Sequence, residues 1–196
     1  NDFIHLNTSI NSSNIKSLPS IFPKTIMGEN ISSWINKSFI RGKVNEGFIF
    51  MKGALSTNPF YHDYSGISYA NLNLNDLNIK YSLEWPSIKL NNAVVKIKNK
   101  NFSFETTNEK IYSSNIKKLR VSVDDMNDAT LETKAISSGP INDFVIYTKD
   151  AFNLKINPND LKDVSGNITS HLDFIFLKPA ISLAAVTFLI ACLKTS

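Results

Sequence analysis

Three histidines, His5, His62 and His171, and one cysteine, Cys192, are the side chains most able to bind a metal or attack a substrate. They lie far apart and share no ligand spacing, so no zinc site is expected and metal is assigned to no residue. A single cysteine excludes a disulfide framework within the chain. Ser, His and Asp are all present, yet no Gly-x-Ser-x-Gly elbow or Cys/His motif brings them together. The segment Tyr61-His62-Asp63-Tyr64-Ser65-Gly66 has the residue types of a site but reads as a polar loop between strands. Asp124-Asp125-Met126-Asn127-Asp128 lacks the Gly and the closing Glu of a calcium loop and reads as a solvated turn. The seven glycines are dispersed, so no phosphate-cradling loop forms. These residues predict a protein without catalytic chemistry and without cofactors.

What remains to explain is the hydrophobic pattern. From residue 43 to about 136 the period is two, the signature of strands. Ala93, Val95 and Ile97 alternate with Lys96 and Lys98; Phe102 and Phe104 alternate with Ser103 and Glu105; Val121 and Val123 follow Leu119; Leu131, Thr133 and Ala135 continue the series. Ile67 and Tyr69 share one face, Leu72 and Leu74 the other, and Leu77, Ile79 and Tyr81 switch back, which marks a turn or bulge. Turn signals recur at Asn58-Pro59, Pro86, Asn91-Asn92, residues 98–101, Asn108, residues 124–128, Ser138-Gly139-Pro140 and Asn157-Pro158. Ile168, Leu172, Phe174 and Phe176 form a further run.

Helices flank this region. Asn30 and Ser32 can cap a helix over about 31–38 with Trp34, Ile35 and Phe39 on one face, ended by Gly42. A second helix starts near Pro140 and runs to about 150. The expected organisation is therefore a partly helical segment over 1–40, an antiparallel β-domain over 41–176, and an apolar tail over 177–196. The tail segment Ala180–Leu193 falls short of the about 20 apolar residues of a membrane-spanning helix, and it is open between a strand, a buried helix and a membrane-associated segment.

The fold class is mainly β: a long, twisted, curved antiparallel sheet with one dry and one wet face. Two arrangements satisfy the dry face, a second sheet packed upon it or an apolar groove holding something else. Val95, Ile97, Phe104, Val121, Val123 and Leu131 are the candidate lining residues of that face.

Of 196 residues 42% are hydrophobic and 19% charged, enough to build a core. The net charge of +4 comes almost entirely from scattered lysines, with Arg41 and Arg120 the two arginines. No basic arm exists, so nucleic acid is not an expected partner, while weak attraction to anionic lipid headgroups fits. The chain opens on Asn1 without a signal peptide and reads as a piece of a longer product. Its sequons, such as Asn7 and Asn101, read as a by-product of an Asn- and Ser-rich composition.

One ordered series of motifs carries a resemblance. A Trp34-bearing helix is followed by Gly42-Lys43-Val44, a strand with Gly53, and Asn58-Pro59-Phe60. Then come Leu77–Tyr81, Trp85-Pro86, the Gly139-Pro140-Ile141-Asn142-Asp143 helix start, and Asp163–Asn167 leading into Leu172–Phe176. Over roughly residues 15–180 this order resembles AsmA-like envelope proteins of the YhdP type, within the bridge-like lipid-transfer proteins. The resemblance implies a non-enzymatic part of a long periplasmic protein of a Gram-negative bacterium, anchored in the inner membrane through a part outside this sequence. It implies phospholipid, the inner and outer membranes and the remainder of the same long protein as partners. The apolar run after Lys178-Pro179 departs from the family pattern, which continues with another amphipathic strand.

Overall fold

Alternation of apolar residues with Lys, Asn and Ser makes successive strands, and two-residue turns at Asn99-Lys100 and Tyr112-Ser113 join two of the pairs directly. In a computed structural model, residues 3–12, 14–17, 36–54, 66–80, 87–125, 130–152 and 165–176 are described. They form one open eight-stranded antiparallel sheet: β1 (Phe3–Ser12), β2 (Phe39–Ala54), β3 (Gly66–Ile79), β4 (Ile88–Lys98), β5 (Asn101–Ile111), β6 (Ser114–Val123), β7 (Leu131–Pro140) and β8 (Asn167–Phe176). The strand order follows the chain order from β1 to β8. A 3-10 turn, Ile15–Ser17, follows β1, and one helix, α1 (Ile141–Phe152), lies between β7 and β8.

The expected β-rich class and the helix near 140–150 are what the structure contains. The helix expected over 31–38 lies mostly outside the described residues; its end, 36–38, is helical. The tail over 177–196 and the loop over 61–65 lie outside them too. Some details differ from the sequence reading. Phe3–Ser12 is a strand in a segment read as mixed and partly helical; Ile4, Leu6 and Ile10 alternate there with His5, Asn7 and Ser9. Gly42 does not stop a helix but lies inside β2. A Cβ there would sit 2.6 Å from Leu77 Cδ2 and 3.3 Å from Ile15 Cγ2, so its absence lets β3 and the 3-10 turn close over β2.

The first parity switch in β3 is not a bulge, because Ile67 and Tyr69 face outward and Leu72 and Leu74 inward on an unbroken ladder; the second one is. Asp76, at φ 52°, lets Leu74 and Leu77 both point to the dry face. Asn108, at φ 57°, does the same in β5 between Thr106 and Glu109. Asn tolerates this left-handed backbone better than most residues. Asn91-Asn92 and Asn108, read as turns, therefore lie inside β4 and β5.

The dry face of β1–β4 is the core. Ile10, Ile15, Val44, Ile49, Met51, Leu72, Leu74, Leu77 and Val95 are buried in one cluster. At full burial each such side chain contributes about 1.5–3 kcal/mol. Phe102 and Phe104 of β5 are only partly buried against it. At the opposite end of the sheet, Asp143 in the first turn of α1 ties the helix to the β5–β6 turn. Its Oδ2 accepts from Ser113 N–H at 2.9 Å, Ser113 Oγ at 2.8 Å and Ser114 Oγ at 2.7 Å. That turn places Tyr112 at φ 54°, with its ring 6.4 Å from Tyr147 of α1.

Candidate functional site

The ladder register fixes which residues share the dry face. Ala70, Ile97, Phe102, Val123 and Leu131 pair in succession from β3 to β7. Leu72, Val95, Phe104, Val121 and Thr133 form the adjacent row. Antiparallel partners keep their side chains on one side of the sheet. The six candidate lining residues thus occupy two neighbouring rows of one face. Val95 is buried at 7% exposure, whereas Ile97, Phe104, Val121 and Val123 are half-buried. The face changes along the sheet: sealed over β2 and β3, it is open to solvent over β5 and β6, where Leu119, Val121 and Val123 form an apolar floor. All eight strands belong to one sheet, and among the described residues no second sheet covers this floor.

The chemistry-bearing residues do not converge. His5 lies on β1 against the Phe50 ring, 5.9 Å away, and His171 lies on β8, at the other edge of the sheet. His62 and Cys192 lie outside the described residues, as do Trp34, Pro59, Phe60, Trp85 and Pro86 of the motif series. Asp125 pairs with Lys100 at 3.0 Å. Among the described residues no three His, Cys, Asp or Glu side chains are grouped as metal ligands, and no helix is long and apolar enough to cross a membrane. Gly139 and Pro140 of the motif series end β7, and a Cβ on Gly139 would stand 2.6 Å from the Ser114 Cα.

A family model described as YhdP protein matches residues 2–172. The chain belongs to the YhdP family. No curated protein and no solved structure matches it. Proteins of the YhdP family are in general non-enzymatic and related to lipid transport in the cell envelope.

In this YhdP-family sheet one feature escaped the sequence reading. β4 and β5 pair only over Val94–Lys98 and Asn101–Glu105, beside their shared hairpin turn. Beyond Val94 the strands separate, and a carboxylate fills the ladder. Glu109, 2% exposed, accepts the N–H and the Nδ2 of Asn91 on Oε2, each at 2.9 Å. Its Oε1 accepts the N–H and the Nδ2 of Asn92, each at 2.9 Å. Thr106 Oγ1 closes the same gap by donating to the Asn92 carbonyl at 2.6 Å. A buried carboxylate is tolerated only when its lone pairs are filled, and here each oxygen takes two donors. On the wet face the separation leaves a polar depression of about 340 Å³ bordered by Lys96, Glu105 and Arg120. The available signal was the Asn-Asn pair with a Glu in the next strand, but only the register reveals that they meet.

Proposed function

We propose that this YhdP-family sheet is a non-catalytic segment that shields phospholipid acyl chains on its apolar face during transport between the inner and outer membranes of a Gram-negative envelope. The observation that carries this reading is the half-buried apolar floor of β5 and β6, Phe102, Phe104, Leu119, Val121 and Val123, on an open sheet. Every CH₂ of an acyl chain that leaves water against such a floor gains about 0.8 kcal/mol. The gain is non-directional, so chains can slide along it without a specific pocket. Neither a cofactor nor a catalytic residue is needed. The segment acts in the periplasm with the remainder of a longer protein anchored in the inner membrane.

A second reading makes the domain a structural envelope protein with a closed core. The tight burial of the β2–β3 half favours it, with Ile49 at 2% and Leu74 at 1% exposure. A photoreactive amino acid at position 123 separates the two. Under the transport reading it captures phospholipid in living cells. Capture of neighbouring protein alone, in a folded chain, makes this face an ordinary core.

A further inference from the structure

The wet face is not uniformly wet. At the end of the sheet that carries the β4–β5 turn, its outer rows across β1–β4 are Phe3 and Ala54; His5, Lys52 and Ile67; Asn7, Phe50, Tyr69 and Lys98; and Ser9, Phe48, Asn71 and Lys96. Phe3 is 65% exposed, Phe48 39% and Ile67 38%. The rings are grouped: His5 meets Phe50 at 5.9 Å and Phe48 meets Tyr69 at 6.2 Å. Large apolar side chains clustered on a solvent face signal an interaction surface. The charges sharpen the identity of the partner. Lys52, Lys96 and Lys98 stand in these rows and no carboxylate does; the first, Glu46, belongs to the next row, opposite Asn73.

We propose that this corner of the outer face docks on an anionic lipid bilayer. Aromatic rings and lysines, with no carboxylate among the described residues of these rows, suit the headgroup region, where rings sit at the interface and lysine stems lie along apolar surface while their ammonium groups reach phosphate. The same composition argues against a protein partner, because lysine is depleted from the cores of protein interfaces. It argues against a second copy as well, since an isologous contact would lay one lysine-bearing patch on another of the same charge. The surface is opposite the apolar floor, so the proposal stands apart from acyl-chain shielding. It gives the sheet a way to lie against a membrane by one end while its other face stays free.

The test is vesicle flotation of the full chain with phosphatidylcholine alone and with phosphatidylcholine and phosphatidylglycerol in equal parts. Binding is expected on the mixed vesicles and is expected to fall with added salt. At roughly fivefold per lysine, Lys52→Gln, Lys96→Gln and Lys98→Gln together weaken it about a hundredfold. Phe48→Ser with Ile67→Ser weakens it about tenfold or more. All five positions are surface sites, and a thermal melt verifies that each variant folds. An environment-sensitive fluorophore at position 67, attached through Ile67→Cys in a Cys192→Ser chain, reports immersion that the same probe at position 146 does not. Equal binding by parent and lysine variant, equal binding to neutral vesicles, or an unshifted probe at 67 overturns the proposal. So does light scattering that shows a dimer which the Phe48→Ser, Ile67→Ser variant abolishes. Phospholipid capture at position 123 is read separately, so loss of one property leaves the other standing or falling on its own.

Discussion

Replacing Glu109 by Gln keeps its shape and removes half of what it does. The carboxylate serves two donors on each oxygen, all at 2.9 Å. An amide keeps one oxygen and turns an NH₂ against the other two donors. The Asn side-chain amide of that pair can rotate to water, because Asn91 and Asn92 are exposed as residues. The backbone N–H cannot, and a buried donor left without an acceptor costs about 1–3 kcal/mol. The remaining pair loses its charge assistance, worth about 1 kcal/mol more. Glu109→Gln is therefore expected to destabilise by about 2–4 kcal/mol, a fall in melting temperature of about 4–16 °C for a chain of this size. Urea unfolding gives the free energy, and amide hydrogen exchange gives its location. Exchange at Asn91 or Asn92 should accelerate while Val95, inside the paired part of the ladder, stays protected. A variant within about 0.5 kcal/mol of the parent, with unchanged exchange at both asparagines, refutes the claim that this carboxylate joins β4 to β5.

Gly139→Ala drives a Cβ to within 2.6 Å of the Ser114 Cα, a backbone atom that cannot step aside, and should cost about 1–3 kcal/mol by chemical denaturation. Burial pushes the Asp143 carboxyl up, but the Ser114 and Ser113 hydroxyls and the backbone N–H groups of those serines outweigh it and hold the group below its ordinary value. A lowered folded value means the stabilisation is present above the unfolded value of about 3.8 and is lost as pH falls through the folded one; Asp143→Asn should thus melt lower than the parent at neutral pH and converge with it in acid. Val123→Asp places a charge on the apolar floor and should cost about 2–4 kcal/mol and block lipid passage, whereas Lys117→Asp, exposed on the same strand, should leave both thermal stability and passage nearly unchanged.

The strands from β2 to β8 were legible because most of their length follows a two-residue period, even where β2 is apolar on both faces and bulges interrupt β3 and β5. Helix α1 was legible because Pro140 and Asp143 stand where a helix begins. The faces at Val95, Ile97, Phe104, Val121 and Val123 could be grouped because turn signals bracket their strands. The same signals misled at Asn91-Asn92 and Asn108. Asn favours both turns and isolated left-handed residues, and nothing local tells a bulge from a hairpin. Gly42 was ambiguous for a similar reason: a glycine ends helices, but here it yields space to Leu77, a residue 35 positions away. Strand β1 was legible in principle, with Ile4, Leu6 and Ile10 alternating, but Asn and Ser between them dilute the period, and the segment reads as part of the partly helical first forty residues. The Glu109 clamp joins residues 17 and 18 positions apart, and such a contact follows from strand register rather than from any motif.

Each strand bonds only to the strands that precede and follow it in the chain. Outside the shared core of β1–β4, such a sheet behaves like a one-dimensional array, with stability a sum of neighbour terms. At about 4.8 Å per strand spacing, its eight strands span roughly 34 Å across. Inserting or deleting one hairpin beyond β4 would change that width by about 10 Å and leave the β1–β4 core and its pairings intact. Its reach can therefore be lengthened by evolution or by design in discrete steps, without refolding what is already there.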